Sequence, residues 1–268
     1  MSLFRETAAE AWRERFGSEP PTGAERIAPF LRHRSVRDFA PDSVDEATLL
    51  ALVGAAESAA TSSNLHAYSL VLVQDPESRR TLRRLVGDQR QVEECALFFA
   101  FVLDLHRLAR VAELGGEEPT GLDTAEMFTV GAVDAALAAE RMVLAAESLG
   151  LGTCYIGSLR NDPPAVAELL GLPDRTFGLF GLCVGHPAGG ADARIKPRLA
   201  PGTVLHRERY AEGELHEYDE RLRAFYQREG INSGLGWIGR TARRVTERGL
   251  GGRETLLAFL QARGLLRR

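Results

Sequence analysis

The stretch that decides the fold is Ala96-Leu97-Phe98-Phe99-Ala100-Phe101-Val102-Leu103, an unbroken apolar run. A strand with one face in water alternates polar and apolar side chains, whereas a strand covered on both faces shows no alternation. We therefore predict a strand here, buried between two layers of helices. A second unbroken apolar run, Phe177 to Gly185, predicts another strand of the same kind.

Strand and helix signals alternate on both sides of these runs. Two more strands are predicted at Tyr68 to Gln74 and Leu151 to Ile156. Helical spacing and helix-start signals predict helices at 3–16, 24–32, 45–58, 76–86, 90–94, 124–149 and 162–171. The pattern predicts an α+β fold, a central mixed sheet flanked by helices. Residues 1–200 form the predicted core, and the mostly helical, more charged residues 201–268 form a C-terminal arm.

The longest predicted helix, 124–149, is rich in alanine and apolar nearly all round. We expect a capping carboxylate at its start, near Asp123, and a left-handed cap at Gly150. Its polar residues, Asp134 among them, fall on one narrow stripe. Such a helix is typical of a central position or of a subunit interface.

Composition excludes several function classes. The 268 residues are 44% hydrophobic and 26% charged with a net charge of -4, which fits a soluble globular protein and disfavours general nucleic-acid or membrane-surface binding. No apolar run reaches the length of about 18 residues typical of a membrane span, and no signal peptide is evident. Six histidines show no ligand spacing, so we expect no metal site.

The three cysteines are Cys95, Cys154 and Cys183. They form no CxxC pair, which fits a reducing cytoplasm. Cys154 and Cys183 lie in apolar strands, where packing is the favoured interpretation.

Two compact basic motifs stand out in this acidic chain. The first is His33-Arg34-Ser35-Val36-Arg37, and the second is Lys196-Pro197-Arg198, which contains the only lysine. Arginine forks grip phosphate oxygens bidentately, and a lysine supplies a smaller point charge. A solvated basic turn is the alternative interpretation of the first motif.

Other candidate site elements lie in loops beside the predicted strands. They are the polar loop 61–66, the turn at Gln89 and the segment Tyr155-Ile156-Gly157-Ser158. With the two basic motifs, these elements offer hydrogen-bond donors to a phosphate, amide and hydroxyl groups, and a glycine that lets a ligand approach the backbone closely. This set of groups suits a phosphorylated cofactor with a polar ring. The usual nucleotide motifs, GxGxxG after a strand and GxxxxGK[ST], are absent from the sequence.

Six motifs in order give a specific resemblance. They are His33 to Phe39, Gln89, Glu147 to Gly152, Tyr155 to Asn161, Leu179 to Gly185, and Lys196 to Leu199. Together they resemble the nitroreductase family, and most of all its oxygen-insensitive NADPH nitroreductase and flavin reductase group. The resemblance implies a nitroreductase-like fold and an FMN-binding homodimer, with FMN at the subunit interface and the C-terminal arm wrapping the partner subunit.

The resemblance also implies roles for individual residues. It assigns the FMN phosphate and the pyrimidine edge to the two basic motifs, namely His33, Arg34, Ser35, Arg37, Lys196 and Arg198. It places Tyr155, Ile156, Gly157 and Ser158 along the ring, with Ser62, Ser63 and Gln89 completing the site. A glutamine of the family matches His66 here. No side chain is assigned a catalytic acid or base role, because FMN carries the chemistry.

The activity implied is NAD(P)H-dependent reduction of nitroaromatics, quinones or free flavins by ping-pong hydride transfer. NADPH is the expected donor, with NADH possible, because the loop Gly230 to Trp237 lacks the arginine expected from the family. Arg240, Arg243 and Arg244 follow as replacement donors. Two alternatives remain open: a relative with reductive dehalogenase or flavin-destruction activity, and a flavin-binding protein without turnover.

Overall fold

The computed structural model of the chain describes residues 4–189, 193–231 and 234–268. The chain forms two compact units. The first unit comprises residues 1–34 and 193–251, and the second comprises 35–192 and 252–268. The predicted core of 1–200 and arm of 201–268 are a different division, and that division stays a prediction.

The second unit contains a four-stranded sheet. Its strands are β1 (Tyr68–Val73), β2 (Leu97–Asp104), β3 (Gly152–Ile156) and β4 (Thr176–Gly185), in the order β1-β2-β4-β3. All three neighbouring pairs are antiparallel. The one parallel pairing in the described ranges is an isolated bridge between Ser35 and Thr153. The mixed character predicted for the sheet is confined to this bridge.

Strand β2 is covered on both faces, as its apolar run predicts. Every residue of the strand is buried. Phe99 and Phe101 join the main hydrophobic core on one face. Phe98 points to the other face, where its ring fills the space beside the Gly181 backbone. Apolar contacts on both faces therefore hold β2 in place, and β2 in turn positions the neighbouring strands β1 and β4.

Helices are numbered in chain order, and seven of them lie in the described residues of the second unit. These are α3 (Glu46–Glu57), α4 (Pro76–Leu85), α5 (Gln91–Glu94), α6 (His106–Gly115), α7 (Ala125–Ser148), α8 (Pro163–Leu169) and α13 (Leu256–Ala262). The predicted helices of this part are confirmed within a few residues. Helix α6 lies in a segment to which the sequence patterns assigned no element.

Helix α7 begins with a hydroxyl cap. Thr124 Oγ1 accepts the Met127 N–H at 3.3 Å, while Asp123 pairs with Arg268 at 2.9 Å. The expected carboxylate cap was therefore wrong, because the Asp123 carboxylate is bound to the C-terminal arginine. Gly150 has a φ of 77°, which confirms the left-handed cap. Asp134 is fully buried.

The first unit is helical in its described part. Its helices are α1 (Ala8–Phe16), α2 (Ala28–Leu31), α9 (Pro201–Val204), α10 (His216–Arg228), α11 (Trp237–Arg244) and α12 (Glu247–Leu250). Helix α1 starts later than predicted because Thr7 and Glu10 form a capping box. The predicted helix 24–32 divides into a 3-10 turn, Ala24–Ile27, and α2.

Two small apolar clusters hold the first unit together. Ala11, Leu31 and Ile195 belong to the one that contains α1 and α2. Tyr218 and Phe225 of α10 belong to the other. Among the described residues, no helix is both long and apolar enough to cross a membrane.

Candidate functional site

Gln89 lies against the end of β3 in the second unit. Its amide nitrogen donates hydrogen bonds to Ser158 Oγ and, at 3.0 Å, to Val86 O. Its amide oxygen accepts a hydrogen bond from Gln91 Nε2 at 2.9 Å. Two segments predicted from the sequence, the Gln89 turn and 155–158, are therefore in direct contact.

The segment after β3 offers both a side chain and a backbone to a ligand. Tyr155 is 38% exposed, its ring lies 5.5 Å from that of Phe180, and its hydroxyl donates to Glu140 Oε2 at 3.3 Å. Burial, and then the charge of Glu140, raises the pKa of Tyr155. Ile156 is buried.

A short extended segment runs beside β3 and presents Arg37. The Val36 N–H donates to Thr153 O at 2.8 Å. The Val36 side chain is buried against Gly152, where a Cβ would lie only 2.7 Å away. Glycine is therefore required at Gly152 for this close approach. Arg37 is exposed and has no hydrogen bond or ion pair within the described ranges, so its guanidinium is available to a ligand.

One buried carboxylate holds both ends of the polar loop 61–66. Asp134 of α7 accepts the Ser62 N–H at 2.9 Å and the Ala67 N–H at 3.2 Å. Hydrogen bonds from backbone N–H groups to a carboxylate are charge-assisted and strong. The role of Asp134 was missed from the sequence, where the available signal was an acidic residue in an alanine-rich, apolar helix.

Between these two anchors the loop backbone is strained. Ser63, Asn64 and His66 have φ values of 48°, 56° and 52°. Residues other than glycine rarely adopt this region, and such strain often accompanies function. Ser62 and Ser63 are exposed, and His66 Nε2 lies 3.1 Å from Asn64 Oδ1. No hydrogen bond joins this loop to the Gln89 turn in the described ranges.

Arg15 joins the two basic motifs within the first unit. Its guanidinium donates to Leu31 O at 2.7 Å and to His33 O at 2.5 Å. Its carbonyl accepts the Arg198 N–H at 2.7 Å. The structure thus brings together the backbones of His33 and Arg198, which are far apart in sequence. Nothing in the pattern of α1 marked Arg15 for this role.

The Arg34 side chain is engaged within the first unit. Its two terminal nitrogens donate to the Glu6 carboxylate at 2.9 and 2.6 Å, and it is almost fully buried. Burial alone would raise the pKa of Glu6, but the Arg34 hydrogen bonds and charge outweigh it and lower the pKa. The Arg34 guanidinium therefore already binds a carboxylate. Lys196 lies half-buried between the buried residues Ile195 and Pro197.

A cavity of about 370 Å³ lies beside the loop after α10. Its lining residues are Arg223, Tyr226, Gln227, Gly230, Ile231, Gly234 and Leu235. The Arg240 guanidinium lies 4.1 Å from the centre of the Tyr226 ring, and Arg223 pairs with Asp219 at 2.8 Å. Asn232 and Ser233, part of the loop named in the sequence, lie outside the described residues. In the part of the chain that the structure describes, no histidine, cysteine or carboxylate cluster could hold a metal ion.

Comparisons of the sequence agree along almost the whole chain. The sequence model of the Nitroreductase family matches residues 31–186, and that of the Nitroreductase family, C-terminal domain, matches 196–268. The FMN reductase (NADPH) of Bacillus subtilis (strain 168) is 42% identical over 208 residues, 75% of this chain and 83% of the relative. The NADPH-flavin oxidoreductase of Vibrio harveyi is 36% identical over 247 residues, 90% of this chain and 98% of the relative.

Comparisons with solved structures agree with these sequence matches. NfrA1 of B. megaterium has a TM-score of 0.84 at 38% identity, covering 90% of this chain and 99% of the other. The NADPH:FMN oxidoreductase of Vibrio harveyi, solved in complex with NAD+, has a TM-score of 0.80 at 35% identity, with coverage of 90% and 99%. The resemblance predicted from six motifs and the predicted fold class are confirmed, and the chain belongs to the nitroreductase family.

Proposed function

We propose that this protein is an FMN-dependent NAD(P)H oxidoreductase that reduces nitroaromatics, quinones or free flavins. The observation that carries the proposal is the match to relatives named as NADPH-dependent FMN and flavin reductases, which spans up to 90% of the chain. FMN, when bound, supplies the hydride chemistry, accepting from the nicotinamide and donating to the acceptor. A ping-pong order of the two substrates is part of the proposal.

The donor set of the second unit fits the ring of FMN. Arg37 is exposed and has no protein partner among the described residues, and it suits the negative charge that reduction places on the pyrimidine edge. A Cβ on Gly157 would meet only the Arg160 guanidinium, at 3.7 Å, so the protein itself does not fill the space there. A planar ligand can therefore approach the backbone closely at this glycine. Tyr155, Ile156, Ser158 and Gln89 then border the ring, with Ser62 and Ser63 as further polar contacts.

The basic residues of the first unit suit a phosphate. The Lys196 ammonium supplies a compact positive charge, and the Arg198 guanidinium supplies a planar set of hydrogen-bond donors. The side chains of His33 and the neighbouring Ser35 supply further hydrogen-bond donors. Both terminal nitrogens of Arg34 donate to the Glu6 carboxylate. Arg34 therefore supports this segment in our proposal and does not bind the phosphate directly. The assignment of these residues to FMN rests on the family resemblance.

We also propose that the protein works as a homodimer. Helix α7 leaves two large apolar side chains, Val133 and Leu137, about half exposed on one face. A stripe of this kind on a central helix is typical of a surface that a second copy covers. Cytoplasmic localisation remains part of the proposal.

A turnover assay tests the proposed activity. Apoprotein should oxidise NADPH only after FMN is added, and the rate should depend on a quinone or nitroaromatic acceptor. Protein that stays inactive with bound FMN and every acceptor of these classes would favour a flavin-binding protein without turnover.

A further inference from the structure

A cavity of about 360 Å³ in the second unit is lined by residues that we assign neither to FMN nor to the nicotinamide. It lies between the first turns of α6, the turn after α8, and strands β1 and β2. Its apolar lining consists of Val71, Val102, Leu170, Leu172 and Pro173. Small-molecule sites have volumes of about 300–1,000 Å³, so the cavity has room for a compact ring or a short branched chain.

Most of the polar groups that line the cavity bind one another. Ser69 Oγ donates to Asp104 Oδ2 at 2.6 Å, and Arg107 Nη2 donates to Ser69 Oγ at 2.6 Å. Asp104 Oδ1 accepts the Arg107 N–H at 2.9 Å, and the two side chains form an ion pair at 3.5 Å. The Thr176 hydroxyl donates to Pro173 O at 2.5 Å. Asp104 is the one carboxylate among the described residues of the lining, and Arg107 already balances its charge.

A positive charge remains at the cavity after this pairing. Arg110 of α6 lines the cavity and is exposed, and its side chain has no hydrogen bond or ion pair with any described residue. His106 also lines the cavity, four residues earlier and therefore on the same face of the helix. Arginine presents a planar set of donors that matches a carboxylate. An apolar cavity with one unbalanced guanidinium complements a molecule that has an apolar body and a single negative charge.

We propose that this cavity is a second binding site, which takes a small hydrophobic monocarboxylate. The ligand carboxylate binds the Arg110 guanidinium, with His106 as a further donor, and the apolar body lies against Val71 and the two leucines that follow α8. A second carboxylate on the ligand would place an unpaired charge against apolar side chains, which is costly. A neutral ligand would gain nothing from Arg110. The charge and the lining together therefore select a monoanion.

Titration calorimetry of the FMN-loaded protein with cyclohexanecarboxylate tests the site. We expect saturable binding of one carboxylate per chain. Cyclohexanecarboxamide has the same ring without the charge, and it should bind at least about tenfold more weakly. The flavin absorbance should not change, because the cavity shares no residue with the proposed flavin site. The readout is a heat of binding and not turnover, so it can succeed or fail independently of the proposed activity.

Matched variants locate the bound carboxylate. Arg110→Gln should weaken binding about ten- to hundredfold, the usual effect of losing one charge-assisted contact, whereas Arg110→Lys keeps the charge and should bind more tightly than Arg110→Gln. Arg84→Gln, at an exposed arginine of α4 that does not line the cavity, is the control. Leu172→Ala should also weaken binding, with Leu114→Ala, on the exposed face of α6, as its control.

Four outcomes would overturn the proposal. They are the absence of saturable binding to the wild type, equal binding of the carboxylate and the carboxamide, unchanged affinity in Arg110→Gln, and a change in flavin absorbance when the carboxylate binds.

Discussion

At the scale of single residues, Lys196 is the most direct test of the basic motifs. Lys196→Ala should weaken FMN binding by about 1.5–3 kcal/mol, the usual worth of one charge-assisted contact, which is about one to two decades in affinity. Titration of FMN into the apo variant measures this. Arg194→Ala serves as the control, because Arg194 lies two residues away and pairs with Glu229 at 3.5 Å. Unchanged affinity in Lys196→Ala would remove the lysine from the site.

Asp134 is the residue whose loss should disturb the polar loop. Asp134→Asn keeps the shape but replaces one acceptor oxygen with a donor that faces a backbone N–H. We expect a loss of about 1–3 kcal/mol in the free energy of unfolding of the apoprotein, together with weaker FMN binding through Ser62 and Ser63. Urea unfolding and FMN titration measure the two effects, with the exposed Asp42→Asn as control. A variant as stable as the control would show that the loop does not depend on this carboxylate.

The segments of the candidate site were easier to predict from the sequence than the contacts that their residues make. The basic motifs and the Gln89 turn are visible as local patterns of residue types, and in the structure Gln89 donates a hydrogen bond to Ser158. The Arg34–Glu6 pair and the two bonds of Asp134 join residues that are distant in sequence. No spacing rule reports such contacts, because they depend on how the helices pack.

At the scale of elements, unbroken hydrophobic runs and helix caps decided what could be predicted. Strand β2 and helix α7 lie within one or two residues of their predicted bounds, because their patterns are long and their ends carry clear stop signals. Helix α1 was misplaced at its start because the local capping box of Thr7 and Glu10 overrides a weak amphipathic pattern.

The loop after α10 carries the prediction about the nicotinamide. Arg240 packs on Tyr226, and the described loop residues that line the cavity include no basic residue. We expect NADPH to be preferred, but by less than about a thousandfold in kcat/KM, because a well-placed phosphate contact is worth about one to two decades. The ratio for NADPH and NADH is measured at fixed acceptor, at low and high salt.

Arg240→Gln should reduce this ratio, and Arg248→Gln, in α12, is the matched control. A wild-type preference above a thousandfold would mean that the downstream arginines fully replace the missing loop arginine.

At the scale of the whole molecule, the exposed face of α7 predicts an obligate dimer. Sedimentation at micromolar concentration should give about twice the chain mass of 29.3 kDa. Leu137→Glu places a charge in the covered stripe and should produce a monomer with little bound FMN. Leu114→Glu is the control, since Leu114 is 84% exposed on α6 compared with 44% for Leu137. A stable wild-type monomer that holds FMN would contradict the interface position of the cofactor.

The fold of the whole chain was predictable because six modest motifs occur in the right order. The first unit combines residues 1–34 with 193–251, two segments that are distant in sequence. Hydrophobic periodicity describes neighbours along the chain, and it does not report that an N-terminal helix shares a unit with a distant segment.

The most direct test of the central claim is the visible absorbance of the FMN-loaded protein under anaerobic NADPH. The account predicts a yellow protein whose flavin absorbance is bleached by one equivalent of NADPH per chain and returns when a quinone is added. A protein that takes up no FMN, or one that stays yellow with excess NADPH and excess NADH, would contradict it.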